Sequence, residues 1–169
     1  MTTIDRLDAE ILAKMTRDAR VGIAELATSL GVSRNTIQAR LHRLEEAQIL
    51  VGFRPIVNLA AIGMPVQALV SLDIDQRRMM SIIEGLEALP QVLEVRIQAG
   101  REDLSVAVAI ESLDALQQLT AAIVEIEGVR KTTSSFAVAT PIPYRVQPLL
   151  DHLTRSRGWG RSTPASNEQ

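Results

Sequence analysis

Between Ser33 and Leu44 the chain carries Arg34, Arg40 and Arg43 with no acidic residue, interleaved with Asn35, Thr36, Gln38 and His42. Guanidinium forks match guanine edges and phosphate oxygens, and carboxamides match adenine edges, so this set of side chains in one run has the chemistry to read duplex DNA. Ala39 in their midst is small enough to let a helix sit deep in a major groove. Other chemistries are poorly provided for. The absence of cysteine removes disulfides, thiolate metal sites and cysteine nucleophiles, and the only histidines, His42 and His152, stand far apart in the chain. No serine-histidine-aspartate set, phosphate-cradling loop or metal-ligand cluster is recognisable, so neither a cofactor nor a metal is expected.

The elements around this run explain how it would be presented. Leu7, Ile11, Leu12 and Met15 recur at helical spacing behind Asp5 and Asp8, which suit a helix N-terminus. Ile23, Leu26, Ala27 and Leu30 form a second short stripe that stops at Gly31, a position suited to the left-handed conformation that ends helices. Ser33 then caps a third helix whose buried stripe is Ile37, Leu41 and Leu44. About 100° per residue puts Asn35, Gln38, Ala39, His42 and Arg43 opposite that stripe, with Arg34, Thr36 and Arg40 flanking them for backbone contacts. A solvated amphipathic helix would also be polar on its outer side; the helix-turn-helix order favours DNA. Leu50 to Val57 alternates around Gly52 and predicts a small strand pair, or wing, from which Arg54 reaches a phosphate.

Beyond a break at Asn58–Pro65, the hydrophobic period changes. Ala68, Val70, Leu72 and Ile74 predict a strand; Met79, Ile82, Ile83 and Leu86 a helix; and Leu93, Val95, Ile97 and Ala99 a second strand. Gly100-Arg101-Glu102-Asp103 turns into a third strand of Leu104, Val106, Val108 and Ile110. A helix marked by Leu113, Leu116, Leu119, Ile123 and Ile126, and a strand over 129–139, complete the set. The βαββαβ order is a ferredoxin-like, α+β arrangement with both helices on one side of the sheet. Leu69, Ala107 and Ala109 on the other side predict that this face meets a second copy.

Composition agrees with two modest globular cores: 46% of the residues are hydrophobic and 22% charged. No apolar run reaches the roughly 20 residues of a membrane span, and the first residues are too polar for a secretory signal, so a cytoplasmic protein without membrane contact is expected. Net charge is only −2, with the acidity concentrated in residues 64–140. The chain thus divides into a winged helix-turn-helix domain at 1–57, a linker at 58–66, a ferredoxin-like domain at 67–140 and a C-terminal extension at 141–169. In the extension, prolines and a short helix around Leu149–Thr154 precede Arg155, Arg157, Trp159 and Arg161. A mobile terminus is favoured there over contact with DNA or another subunit.

Taken together, Leu7-Asp8-Ala9-Glu10-Ile11-Leu12, Glu25-Leu26-Ala27, Gly31-Val32-Ser33, Arg40 to Ala47, Gly52-Phe53, Leu89-Pro90-Gln91-Val92 and Ala99-Gly100 with Asp103 resemble the Lrp/AsnC (feast/famine) family of transcriptional regulators. The resemblance runs from about Ile4 to Ala139. It implies a head that binds operator DNA through Ser33, Arg34, Asn35, Thr36, Gln38, Arg40 and Arg43. It also implies a RAM/ACT-like ferredoxin domain that forms homodimers and then octamers or related assemblies, with an amino-acid effector between dimers. The effector loop falls on Gly100, Arg101, Glu102 and Asp103, and the facing Thr133 and Ser134 could supply hydroxyls. The family usually has an aromatic residue where Glu102 stands; a carboxylate there disfavours an anion and suits a basic ligand. Two rival readings are an architectural DNA-binding protein of low sequence preference and, below it, an enzyme similar to siroheme decarboxylases. The latter would need histidines around a tetrapyrrole, which His42 and His152 are badly placed to provide.

Overall fold

The computed structural model describes residues 3–160 and divides into two compact units, one running up to Pro55 and resuming at Ile142, the other spanning Ile56–Pro141.

The first unit is built from α1 (Arg6–Arg17), α2 (Ile23–Leu30) and α3 (Arg34–Glu46), joined by α6 (Gln147–Thr154) from the far end of the chain. Leu7, Ile11, Leu26, Leu30 and Ile37 form its buried core, as their helical spacing requires. Each end has the expected stop. Asp5 and Asp8 cap α1 reciprocally, each carboxylate accepting from the other's backbone N–H. Gly31 ends α2 at φ 67°, the left-handed region that favours glycine, and the Ser33 hydroxyl accepts from the Thr36 amide at 3.1 Å to open α3.

Two expectations are corrected here. No strand forms over Val51–Val57; Val51 and Ile56 are exposed, and no ladder partner faces this stretch among the described residues, so its alternation has nothing to pair with. The extension is not a free terminus over 147–160. Its helix, expected at 149–154, spans Gln147–Thr154 and buries Leu150 in a cluster with Ile4, Ala9 and Leu44, while Trp159 packs against the core of the head. Arg161 and Pro164 lie outside the described residues.

The second unit is a four-stranded antiparallel sheet of order β2-β3-β1-β4, with β1 (Val66–Ile74), β2 (Val92–Ile97), β3 (Leu104–Ile110) and β4 (Val129–Phe136). Helices α4 (Met79–Glu87) and α5 (Leu113–Val124) follow β1 and β3, giving the ferredoxin-like order. Val70, Leu72, Leu104, Val106 and Val108 pack with Ile82, Leu86, Leu119 and Ile123 into one buried core. The opposite face carries Leu69, Ser71, Asp73, Ser105 and Ala107, the alternate positions of the same strands. In β2 the expected phase is half right. A register shift between Val92 and Glu94 lets Val92 and Val95 pack on the core, and Leu93 lies with Leu69 and Ala107 instead.

Candidate nucleic-acid interface and effector loop

On α3 the buried stripe is Ile37 and Leu44, and the side turned away from it leaves Arg34, Asn35, Gln38, Ala39 and His42 exposed, with Ser33 exposed at the cap. Thr36 is half-buried and its hydroxyl lies 2.9 Å from that of Ser33. Arg54 is exposed in the extended stretch after α3. An open groove of about 600 Å³ runs along the helix, lined by Asn35, Thr36, Ala39, Arg40 and Arg43 with Asp5 and Gly160.

The arginines of this helix are not equivalent. Arg40, expected at the DNA backbone, donates through Nη1 to Asp5 at 2.5 Å and to Asp8 at 3.1 Å, and its side chain is only 13% exposed. Arg43 donates to the other oxygen of Asp8 but keeps 40% of its side chain exposed. Asp8 is fully buried, so two guanidinium groups on α3 neutralise one buried carboxylate on α1 and clamp the two helices together. Burial alone would raise the Asp5 carboxyl, but hydrogen bonds from Arg40 and from the Asp8 amide outweigh it and hold the group below its ordinary value of 3.8. Arg40 therefore has a structural employment that its place on the helix did not announce, and Asp5 and Asp8 are more than caps. His42 sits 3.2 Å from Glu46 on the exposed side.

In the second unit the effector residues separate into groups. Arg101, Glu102 and Thr133 line a small cavity of about 140 Å³ together with Ser71, Asp73 and Lys131. Asp103 is occupied in shaping the turn: Ile74 N–H donates to it at 2.9 Å and Gln76 Nε2 at 2.9 Å. The first of these bonds, helped by the second, holds its carboxyl below the usual range. Gly100 lies in the turn with open space beside it. Ser134 is turned the other way, its hydroxyl 3.3 Å from that of Thr120 on α5, because neighbouring strand residues face opposite sides. It does not join Thr133. Asp73, Ser71 and Lys131 were not singled out from the sequence; the register pairing Ser71 with Thr133 and Asp73 with Lys131 is what places them there. Period-two counting back from Thr133 would have found Lys131.

Comparison with known proteins agrees with both halves. Residues 4–45 match the AsnC-type helix-turn-helix domain and residues 67–147 the Lrp/AsnC ligand binding domain. Regulatory protein AsnC of Escherichia coli is 31% identical over 147 residues, covering 86% of this chain and 97% of that protein. Its solved structure superposes with a TM-score of 0.77 at 30% identity, over 87% of this chain and all of that one. A feast or famine regulatory protein of M. tuberculosis, solved in complex with L-methionine, gives a TM-score of 0.72 at 28% identity, over 83% of this chain and 96% of that one.

Proposed function

The chain belongs to the Lrp/AsnC family of transcriptional regulators, and from that premise we propose that α3 reads a specific duplex sequence while the ferredoxin-like unit dimerises and holds a regulating amino acid. The observation that carries the reading is the exposed set Asn35, Gln38 and Ala39 on a capped helix whose other side is fixed in the core. Asn35 and Gln38 face base edges, Arg43 reaches a base edge or phosphate with the part of its side chain left exposed, and Ser33, Arg34, Thr36 and Arg54 meet phosphates. Arg40 acts through the helix pair it fixes.

The M. tuberculosis relative binds L-methionine, which supports an amino-acid effector of this chain. The cavity beside Glu102 has both signs of charge. Arg101 and Lys131 suit an α-carboxylate, and Asp73 and Glu102 suit an ammonium group, including one on a side chain. The open sheet face around Leu69 joins two copies, dimers assemble further, and the regulator works in the cytoplasm. In line with that, no helix among the described residues is long and apolar enough to cross a membrane.

The test is fluorescence anisotropy of the purified protein on a labelled duplex from upstream of its own gene, against a scrambled duplex, at two salt concentrations. Sequence-preferring binding is expected, and Gln38→Ala should reduce the preference by about 1–3 kcal/mol. Equal, salt-sensitive binding to both duplexes would instead indicate an architectural protein.

A further inference from the structure

We propose that residues 157–160 form a strap that positions Arg40 for DNA binding, holding Asp5 on this arginine and so keeping it off the phosphates beside α3. The proposal rests on the DNA-binding reading above. Residues beyond 147 lie outside both stretches that match the family, yet they are built into the head unit. Leu150 and Thr154 of α6 are buried, and the chain that follows runs along the start of α1. There it brackets one residue. Arg157 Nη1 donates to the Ile4 carbonyl at 2.6 Å and Arg6 N–H donates to the Gly158 carbonyl at 3.3 Å, so the backbone is tied on both sides of Asp5. Trp159 anchors the strap on the core cluster containing Leu7, Ile11, Leu26 and Ile37.

Asp5 divides its two oxygens between two tasks. Oδ1 accepts from the Asp8 N–H at 3.0 Å and caps α1, whereas Oδ2 accepts from Arg40 Nη1 at 2.5 Å. Gly160 lies against that second oxygen. A Cβ there would collide with Oδ2 and come within 2.8 Å of Arg40 Nη2, and the φ of 65° favours glycine as well, so the strap closes over the ion pair because residue 160 has no side chain. Gly160, Asp5 and Arg40 share the groove along α3 with Asn35, Thr36 and Ala39, on the flank where backbone contacts belong. A guanidinium answered by a carboxylate neutralises no phosphate and releases no counterion from DNA. The strap therefore withholds one cation from the set that meets phosphates. It lowers the sequence-independent part of the affinity, and base reading by Asn35 and Gln38 supplies a larger share of what remains.

The experiment measures anisotropy on the upstream and scrambled duplexes over a series of salt concentrations, for the full chain, Trp159→Ala, Gly160→Ala, and Gly160→Ala combined with Arg40→Ala. Trp159→Ala loosens the strap without changing charge. Gly160→Ala acts on the pair itself, because its Cβ meets only the ends of two flexible side chains, Asp5 and Arg40. Both should bind the two duplexes more tightly by the same factor, with a slope of log affinity against log salt steeper by about one. Adding Arg40→Ala to Gly160→Ala should take that increment away, which a strap that merely supports the fold would not produce. If circular dichroism finds Trp159→Ala unfolded, Gly160→Ala decides alone. A native or shallower slope in Gly160→Ala would overturn the proposal, and so would a steeper slope that survives Arg40→Ala, since another cation would then be the one released. If the full chain binds neither duplex, the DNA-binding reading itself fails; if it binds and Gly160→Ala matches it, only the role of the strap does.

Discussion

Asp8 has no exposed surface and two arginine partners, so its removal should be costly in a way that removal of either arginine is not. Arg43→Ala leaves Asp8 paired with Arg40, whereas Asp8→Ala leaves Arg40 with Asp5 and takes from Arg43 the carboxylate it pairs with. Breaking a buried ion pair from one side costs about 3–5 kcal/mol; because Arg43 is partly solvated, a loss of about 2–3 kcal/mol is expected for Asp8→Ala. Urea unfolding followed through Trp159, the single tryptophan and one that packs on the head core, would measure it. A loss no larger than that of Arg43→Ala would show that the clamp is not centred on Asp8. At the other unit, Glu102 is the residue that should decide ligand charge. Titration calorimetry with lysine and with methionine, on the native protein and Glu102→Gln, should show lysine weakened about tenfold by the substitution and methionine unweakened, as loss of one charge-assisted hydrogen bond predicts. Equal effects on both ligands would remove Glu102 from the side-chain site.

At the scale of elements, the α1–α3 clamp carries a pH dependence whose sign follows from Asp5. Its folded-state value lies below its ordinary 3.8, so the folded head binds fewer protons than the unfolded chain as pH falls toward that value. The stabilisation is fully present above 3.8 and is lost as pH drops through the depressed folded value. Trp159 emission across about pH 5 to 2 should therefore show the head loosening on the acid side, with a smaller pH dependence in Asp5→Asn. An identical profile in the variant would assign the acid sensitivity elsewhere. The clamp was not legible in the sequence, because Asp5 and Arg40 are 35 positions apart and no periodicity relates them. The caps at Asp5, Ser33 and Gly31, the stripe of α3 and the βαββαβ order were legible, since each depends on neighbours within one or two turns or on alternation along a strand. What escaped depends on pairing. The stretch 51–57 alternates like a strand but finds no ladder, Leu93 changes face at a bulge, and Ser134 was grouped with Thr133 although adjacent strand residues diverge. The docking of Trp159 and Leu150 on the head joins ends of the chain that no local signal connects.

For the whole molecule, the proposed dimer makes its prediction at the open sheet face. Leu69 and Leu93 remain about half exposed around a shallow depression lined also by Ala107 and Ser135, on the side of the sheet that α4 and α5 leave uncovered. Contiguous apolar surface of this kind, on an antiparallel sheet otherwise able to present polar residues to water, is best accounted for by a second copy placing the same face against it. Two heads would then be tied to one body and could occupy two half-sites, so affinity for an operator should depend on this face although it touches no DNA. Leu69→Asp puts a carboxylate on that apolar face, while the core side of β1, with Val70 and Leu72, is untouched. Light scattering should find the variant as a monomer with the native chain's circular dichroism. Its anisotropy titration should show operator affinity reduced toward that of a single head, with the preference of each head for its half-site retained. A variant that stays assembled at native size would place the dimer contact on another surface and leave Leu69 without a partner.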